Sequence, residues 1–110
     1  MRLVLITAPG STLARSLAKE LVRRRLAACV NLLPGATSYY VWKGRLNEDR
    51  ECLLLAKTAA SALPALKRFV RSRHPADVPE IISLSIAGGD ASYLQWVAAS
   101  ATGSARRAGA

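Results

Sequence analysis

Apolar residues along the chain follow two spacings, one typical of buried strands and one typical of amphipathic helices. A short apolar run at 3–7 ends at Pro9-Gly10, which predicts a first strand. Leucines then recur every fourth residue from Leu13 to Leu21, so the chain continues as a helix with one apolar face. Ser11 or Thr12 is expected to cap the N-terminus of that helix.

The middle of the chain predicts a long β-hairpin. An apolar segment at 26–33 meets Pro34-Gly35, and β-branched and aromatic residues resume at 37–42, which is typical of one strand with a bulge. Lys43-Gly44 is expected to form the turn, because glycine readily takes the positive φ that a two-residue hairpin turn requires. The return strand at 45–57 is polar in its first half and continuously apolar in its second half, as in a strand covered on both faces.

A second helix, a fourth strand and a third helix complete the pattern. Ser61 is expected to cap the second helix, and His74-Pro75 ends it, since the residue before a proline disfavours the helical conformation. Residues 81–87 predict the fourth strand, and 91–100 a third helix capped by Asp90. Without its last helix this order is the βαββαβ order of the ferredoxin-like fold, which is an α+β fold with one antiparallel sheet.

The predicted sheet has a face that the chain's own helices do not cover. The apolar run Leu53-Leu54-Leu55 argues that this face is not left in water. In a chain this small another subunit is the expected cover, so the sequence predicts an oligomer. We expect the domain to span 1–100 and to be followed by a disordered basic tail at 101–110.

The composition excludes several classes of protein. The 110 residues amount to one domain, and its core must be aliphatic because only 5% of the residues are aromatic. No apolar run approaches the roughly 18 residues of a membrane span. Cys29 and Cys52 do not make a disulfide framework, so we expect reduced thiols and a cytoplasmic protein without membrane partners.

The net charge is strongly positive, with 16 Lys and Arg against 7 Asp and Glu, or +9. The cations lie at helix ends, on outward helix faces, in the hairpin and in the tail, without interleaved aromatic residues. This dispersal favours a solvated basic exterior over a specific nucleic-acid surface.

Several short segments, taken in order along the chain, resemble one known family. They are Leu5-Ile6-Thr7-Ala8-Pro9, Arg25 to Asn31, Pro34 to Ser38, Tyr40 to Gly44, Leu55 to Thr58, His74-Pro75, Val78 to Ile81, and Gly89-Asp90 with Tyr93 to Trp96. These motifs, spread over roughly residues 3–100, are similar to those of the CutA family of divalent-cation tolerance proteins. The resemblance implies a ferredoxin-like fold, a tight homotrimer and a likeness in shape to the PII signalling proteins.

The resemblance also implies copper binding, through a thiol in the first strand and two adjacent imidazoles at the end of the second helix. The matching positions in this sequence are Ile6, Arg73 and His74. Ile6 has no ligand atom and Arg73 repels cations, so His74 is the one metal ligand that we predict. One imidazole does not hold a transition metal, so the expected cofactor is copper or another divalent cation bound weakly at most.

The candidate ligand-binding residues are Tyr40, Trp42, Lys57 and Glu80, which we expect beside His74 in a cleft between subunits. Lys57 and Glu80 are expected to form an ion pair if the ends of their strands meet. Tyrosine and tryptophan are enriched at subunit interfaces. The plain structural interpretation of His74 is a cap at the end of the second helix.

Three functions stay open. The first is a non-enzymatic, cation-tolerance homotrimer, since the sequence has no phosphate loop, nucleophile elbow or zinc spacing. The second is a PII-like sensor that binds a small anionic metabolite through Lys57 and nearby arginines. The third is non-specific nucleic-acid binding through the basic helices. Specific nucleic-acid recognition is not expected, because the central strands lack stacking aromatic residues.

Overall fold

The computed structural model describes residues 1–103, which form a sheet of four strands, three α-helices and one short 3₁₀ turn. The elements are β1 (Arg2–Ala8), α1 (Ser11–Arg23), β2 (Cys29–Trp42), β3 (Arg45–Thr58), the 3₁₀ turn (Ala60–Ala62), α2 (Leu63–Arg73), β4 (Ile81–Ser85) and α3 (Ala91–Ser100). Ala101 is buried and the Gly103 amide donates to the Arg25 carbonyl, so the packed chain continues beyond α3. The rest of the predicted tail, 104–110, lies outside the described residues.

The sheet is antiparallel throughout and has the strand order β2-β3-β1-β4. This order and the element sequence confirm the predicted α+β, ferredoxin-like fold with an added C-terminal helix. Leu5 in β1 lies opposite Leu55 of β3 on one side and Ile82 of β4 on the other. Strands β1 and β3 therefore form the middle of the sheet, while β2 and β4 are its edges.

The main core lies between the sheet and the helices α1 and α2. Val4 and Ile6 of β1 and Leu54 of β3 are fully buried there, against Leu17 of α1 and Leu66 of α2. These strand residues alternate with partly exposed ones, because successive side chains point to opposite faces of a strand. The second half of β3 is thus covered on one face by this chain's helices and not on both.

The structure confirms both irregular features predicted for the long hairpin, the bulge and the turn. Register shifts between Leu33 and Ala36, and Gly35 has a φ of 82°, so the bulge falls at the predicted proline and glycine. Lys43 and Gly44 have φ values of 52° and 76°, the two positive values typical of a type I′ turn. Beyond the bulge, the hairpin at 36–51 extends past the rest of the sheet.

Two predicted helix caps are wrong. Gly10 precedes α1 at the cap position, and no side chain caps that helix end. Ser61 lies inside the 3₁₀ turn, and α2 begins one residue after Ala62, again without a side-chain cap. The cap of α3 is confirmed, since the Asp90 carboxylate accepts the Tyr93 amide at 3.0 Å.

The sheet face opposite α1 and α2 remains largely open. Ile82 and Leu84 of β4 are 48% and 44% exposed on this face, and Leu33 of β2 is 45% exposed. The helix α3 packs mainly through Val97, which lies with Ala28 and Ala101 in a small second core. One subunit therefore leaves an apolar surface on its sheet.

Candidate functional site

A cleft of about 500 Å³ lies between the hairpin and the linker at 74–80, which joins α2 to β4. We call it the hairpin cleft. Thr7 of β1 also lines it. Its lining residues are Thr7, Ser38, Tyr39, Tyr40, Trp42, Glu51 and the linker residues 74–80.

Strand alternation brings three of these side chains to one side of the sheet. Thr7 lies opposite Leu53, and Glu51 is two residues before Leu53, so both side chains share the open face. Tyr40 lies opposite Asn47, which has the same parity along β3 as Glu51. The hairpin cleft is therefore continuous with the open face of the sheet.

His74 holds the linker against the end of β1. Its Nε2 lies 2.7 Å from the Thr7 carbonyl oxygen, and its Nδ1 accepts the Ala76 amide at 3.1 Å. Because an amide N–H donates to Nδ1, the ring proton is on Nε2, which donates to Thr7. His74 lies at the C-cap of α2 as predicted, but its ring bonds the linker and β1, not the last carbonyls of the helix.

Tyr40 is fixed on the hairpin by its hydroxyl, which donates to the Asp49 carboxylate. This hydrogen bond, together with partial desolvation and the negative charges of Asp49 and Glu51, raises the pKa of Tyr40 above its ordinary value. Trp42 stands two residues further along the same face and is 44% exposed. The two rings therefore form an accessible aromatic side of the cleft.

The cleft is acidic although the chain is basic. Glu51, Asp77 and Glu80 line it, and none of the lining residues in the described part of the chain is lysine or arginine. With 7 acidic residues against 16 basic ones in the sequence, three acids and no base in one cleft is a marked local reversal.

Lys57 is the one predicted ligand-binding residue that the structure places elsewhere. It lies opposite Leu3, and its ammonium donates to the Asn31 side chain and, at 3.3 Å, to the Leu55 carbonyl. Glu80 directly precedes β4 and lies beside the other end of β1, near Thr7. The positions of Lys57 and Glu80 are therefore about four residues, or roughly 13 Å, apart along β1. The predicted Lys57–Glu80 ion pair is therefore wrong, and both ion pairs found within residues 1–103 belong to Glu20.

Comparison with known proteins decides the family. The family model described as CutA1 divalent ion tolerance protein matches residues 2–100. The chain belongs to the CutA1 family. The family membership predicted from the sequence motifs is thereby confirmed, and that family is described as one of divalent ion tolerance proteins.

Individual family members agree closely with the chain. The divalent-cation tolerance protein CutA of Thermus thermophilus is 54% identical over 94 residues, 86% of this chain and 91% of that relative. Human protein CutA is 50% identical over 92 residues, and the chain spans about half (51%) of its length. A solved structure of the Thermus thermophilus protein superposes with a TM-score of 0.88 at 51% identity, covering 91% of this chain and 98% of that one.

The copper site implied by the CutA resemblance does not fit the residues of one subunit. Ile6 is fully buried in the core, and the Arg73 guanidinium lies 4.9 Å from the centroid of the Phe69 ring. Both ring nitrogens of His74 already have backbone partners. Within residues 1–103, no three histidine, cysteine, aspartate or glutamate side chains are grouped to hold a metal ion.

The two cysteines have different surroundings. Cys52 is buried at 5% exposure, as predicted for a small core residue, whereas Cys29 is only half-buried. Burial is the main cause that raises the pKa of Tyr93 above its ordinary value, and the charge of the neighbouring Cys29 and a hydrogen bond with it are smaller causes. Cys29 and Tyr93 lie at the opposite end of the sheet from the hairpin cleft, so they add no ligand to it.

Sequence reasoning missed Thr7, Ser38 and Glu51 as cleft residues. Glu51 could have been found from the predicted hairpin, because strand alternation places it on the same face as Tyr40. Thr7 could not, since only the packing of the linker against β1 brings it to the cleft.

Among residues 1–103, none of the helices has the length and apolar character that a membrane span requires.

Proposed function

We propose that this protein serves divalent-cation tolerance as a non-enzymatic homotrimer and that the hairpin cleft is its ligand site. The observation that carries the assembly is the open, apolar face of the sheet. The number of subunits follows the trimer that the resemblance to the CutA family implies. A cytoplasmic location stays a prediction.

The open face supports the assembly because its apolar side chains are continuous across strands. Ile82, Leu5 and Leu55 lie side by side on three neighbouring strands. In the adjacent row Leu84 lies opposite Leu3. Contiguous apolar patches of this kind are uncommon on monomers and are typical of interaction surfaces. The edge strand β4 adds unpaired backbone groups beside them, which favour contact with another chain.

The hairpin supports the same proposal. Val41 and Leu46 lie opposite each other near its tip and are 68% and 76% exposed, and Tyr39 on the same face is 66% exposed. A projecting hairpin with an apolar face can bury that face when it packs on a neighbouring subunit. Since the hairpin forms one wall of the cleft, such packing would place the cleft beside a subunit boundary.

The imidazole and the phenol of the cleft are already engaged in hydrogen bonds and are poorly placed to act as a general base. A general base must have a free nitrogen or oxygen within reach of the proton that it takes. His74 has backbone partners on both ring nitrogens, and the Tyr40 hydroxyl is held by Asp49. The family model and the Thermus thermophilus relative are described as tolerance proteins, and the human relative is named protein CutA.

Light scattering on the purified protein tests the assembly. Three chains of 11.7 kDa give a particle of about 35 kDa. The variant Ile82→Lys places a charge on the open face and should shift the mass towards the monomer. Val22→Lys is the matched control, since Val22 is 42% exposed on α1, away from that face. A monomer mass for the unmodified protein at micromolar concentration would refute the proposal.

A further inference from the structure

We propose that a groove between α1 and α2 binds a small phosphate monoester, such as a phosphorylated sugar or glycerol phosphate. This inference goes beyond the function proposed above and does not depend on it, because the groove is separate from the hairpin cleft. Within residues 1–103, no residue lines both.

The groove lies between the end of α1 and the first half of α2 and has a volume of about 350 Å³. We call it the arginine groove. Its lining residues are Arg24, Leu26, Ala65, Arg68, Phe69 and Gly103. Because α1 and α2 pack on the covered face of the sheet, the groove and the open apolar face lie on opposite sides of the sheet. Assembly through the open face therefore leaves the side of the arginine groove free.

The charge of the arginine groove selects an anion. Arg24 and Arg68 line it, and no aspartate or glutamate is among its lining residues in the described chain. The helices α1 and α2, which lie wholly within the described chain, contain one acidic residue, Glu20. Glu20 pairs with both Arg23 and Arg24, whereas Arg68 belongs to no ion pair within residues 1–103. The guanidinium of Arg68 is thus available to an anion from outside the chain.

The Phe69 ring holds two arginines beside the groove. The guanidinium carbon of Arg24 lies 4.6 Å from the ring centroid, and that of Arg73 lies 4.9 Å from it. The two like charges are therefore no farther apart than the sum of these distances. Stacking on an aromatic ring orients the planar guanidinium, so it loses less freedom when it binds a ligand. Its N–H groups remain at the edge of the plane, where they can donate in pairs to phosphate oxygens.

The number of charges matches a phosphate monoester. The three arginines that line the groove or stack on its ring, against the one carboxylate of Glu20, leave a net charge of +2. A phosphate monoester carries close to two negative charges at neutral pH. Leu26 and Ala65 give the groove an apolar part, on which the organic group of the ester can pack.

Arg25 provides an observation that is independent of the groove's shape. It follows Arg24 directly, and its carbonyl accepts the amide of Gly103, so its backbone lies beside the groove. Its Nε is buried and has no hydrogen-bond partner within residues 1–103. Buried donors normally have an acceptor. The end of α1 therefore has more N–H donors than the described chain has acceptors for them, which favours a ligand rich in acceptor oxygens.

Calorimetric titration of the full chain with glycerol 3-phosphate at low salt tests the proposal. The expected result is saturable binding that becomes roughly tenfold weaker in Arg68→Gln, because one charged hydrogen-bond donor is lost. Arg68 is exposed and holds no acid in the described chain, so this variant should fold normally.

Arg71→Gln is the matched control. It makes the same change of charge on the same helix, but Arg71 does not line the groove. It is also two residues from Phe69, and helix positions two apart do not face the same way. This variant should bind glycerol 3-phosphate like the unmodified protein.

Three outcomes would overturn the proposal. The first is the absence of saturable binding of glycerol 3-phosphate, which would leave the proposed assembly standing. The second is equal weakening in Arg68→Gln and Arg71→Gln, since the attraction would then be that of the whole helix layer. The third is binding to vesicles that contain phosphatidic acid without binding of the free ester, because the partner would then be a lipid surface.

Discussion

His74 illustrates how a single residue can keep its predicted place and change its expected chemistry. The sequence places it at the end of α2, and it lies there. Its two ring nitrogens bond the Thr7 carbonyl and the Ala76 amide, so the imidazole ties two segments together. A metal would have to replace one of these hydrogen bonds before it could coordinate the ring.

We predict that His74→Ala leaves copper titration by calorimetry unchanged. The ring has no free nitrogen, and the described residues supply no further cluster of ligands. The variant should instead lose about 1–2 kcal/mol of stability in urea unfolding, because the Thr7 carbonyl loses its partner. Saturable micromolar copper binding that disappears in His74→Ala would contradict this and restore the residue as a metal ligand.

The ends of the helices show where a local sequence signal was sufficient to predict a capping side chain and where it was not. Asp90 caps α3 as its sequence position indicates, because its carboxylate reaches the amide three residues on. Ser11 and Ser61, which were expected to cap α1 and α2, have similar chemistry, but Ser11 is the first residue of α1 and Ser61 lies inside the 3₁₀ turn. A side-chain cap therefore depends on the exact residue at which the helix begins, and a sequence pattern does not fix that start to a single residue.

We predict that Asp90→Ala costs about 1 kcal/mol of folding stability, the usual cost of removing an N-cap side chain. Asp90→Asn is the control, because asparagine can still accept the Tyr93 amide and should retain most of the stability. Urea unfolding at one fixed protein concentration measures both variants. If Asp90→Asn lost as much as Asp90→Ala, the carboxylate charge and not the hydrogen bond would be the source of stability.

The charges of the whole molecule are unevenly distributed over its surface. Exposed cations follow the outer faces of α1 and α2, whereas acids line the hairpin cleft. The helix-face cations are Arg15, Lys19, Arg23, Lys67, Arg68 and Arg71. The cations on the helices favour weak contact with polyanions through that layer.

We predict that polyanion binding to the helix layer is purely electrostatic. Affinity for heparin should fall by at least about tenfold between 50 and 200 mM salt, because each neutralised phosphate or sulfate releases counterions. Arg15→Glu should weaken it, and Glu48→Gln in the hairpin should not. Binding that survives near-molar salt would contradict the prediction and indicate a specific nucleic-acid surface.

Local signals in the sequence determined the elements and their order. The spacing of apolar residues, the proline and glycine of the bulge and the Lys43-Gly44 turn act within a few residues, so they are visible without the fold. The aliphatic core followed from composition, since Phe69 is the one aromatic residue of the main core in the described chain. The family followed from motifs spread over the whole domain.

Only the tertiary structure decided the membership of the cleft. Tyr40, Trp42, His74 and Glu80 all line it, but Lys57 lies at the far end of β1. Thr7, Glu51 and the linker residues join the cleft because the α2–β4 linker packs against a strand and a hairpin that are distant in sequence. Strand register and the path of that linker set these distances, and both arise from packing of the whole domain, which no local pattern in the sequence reports.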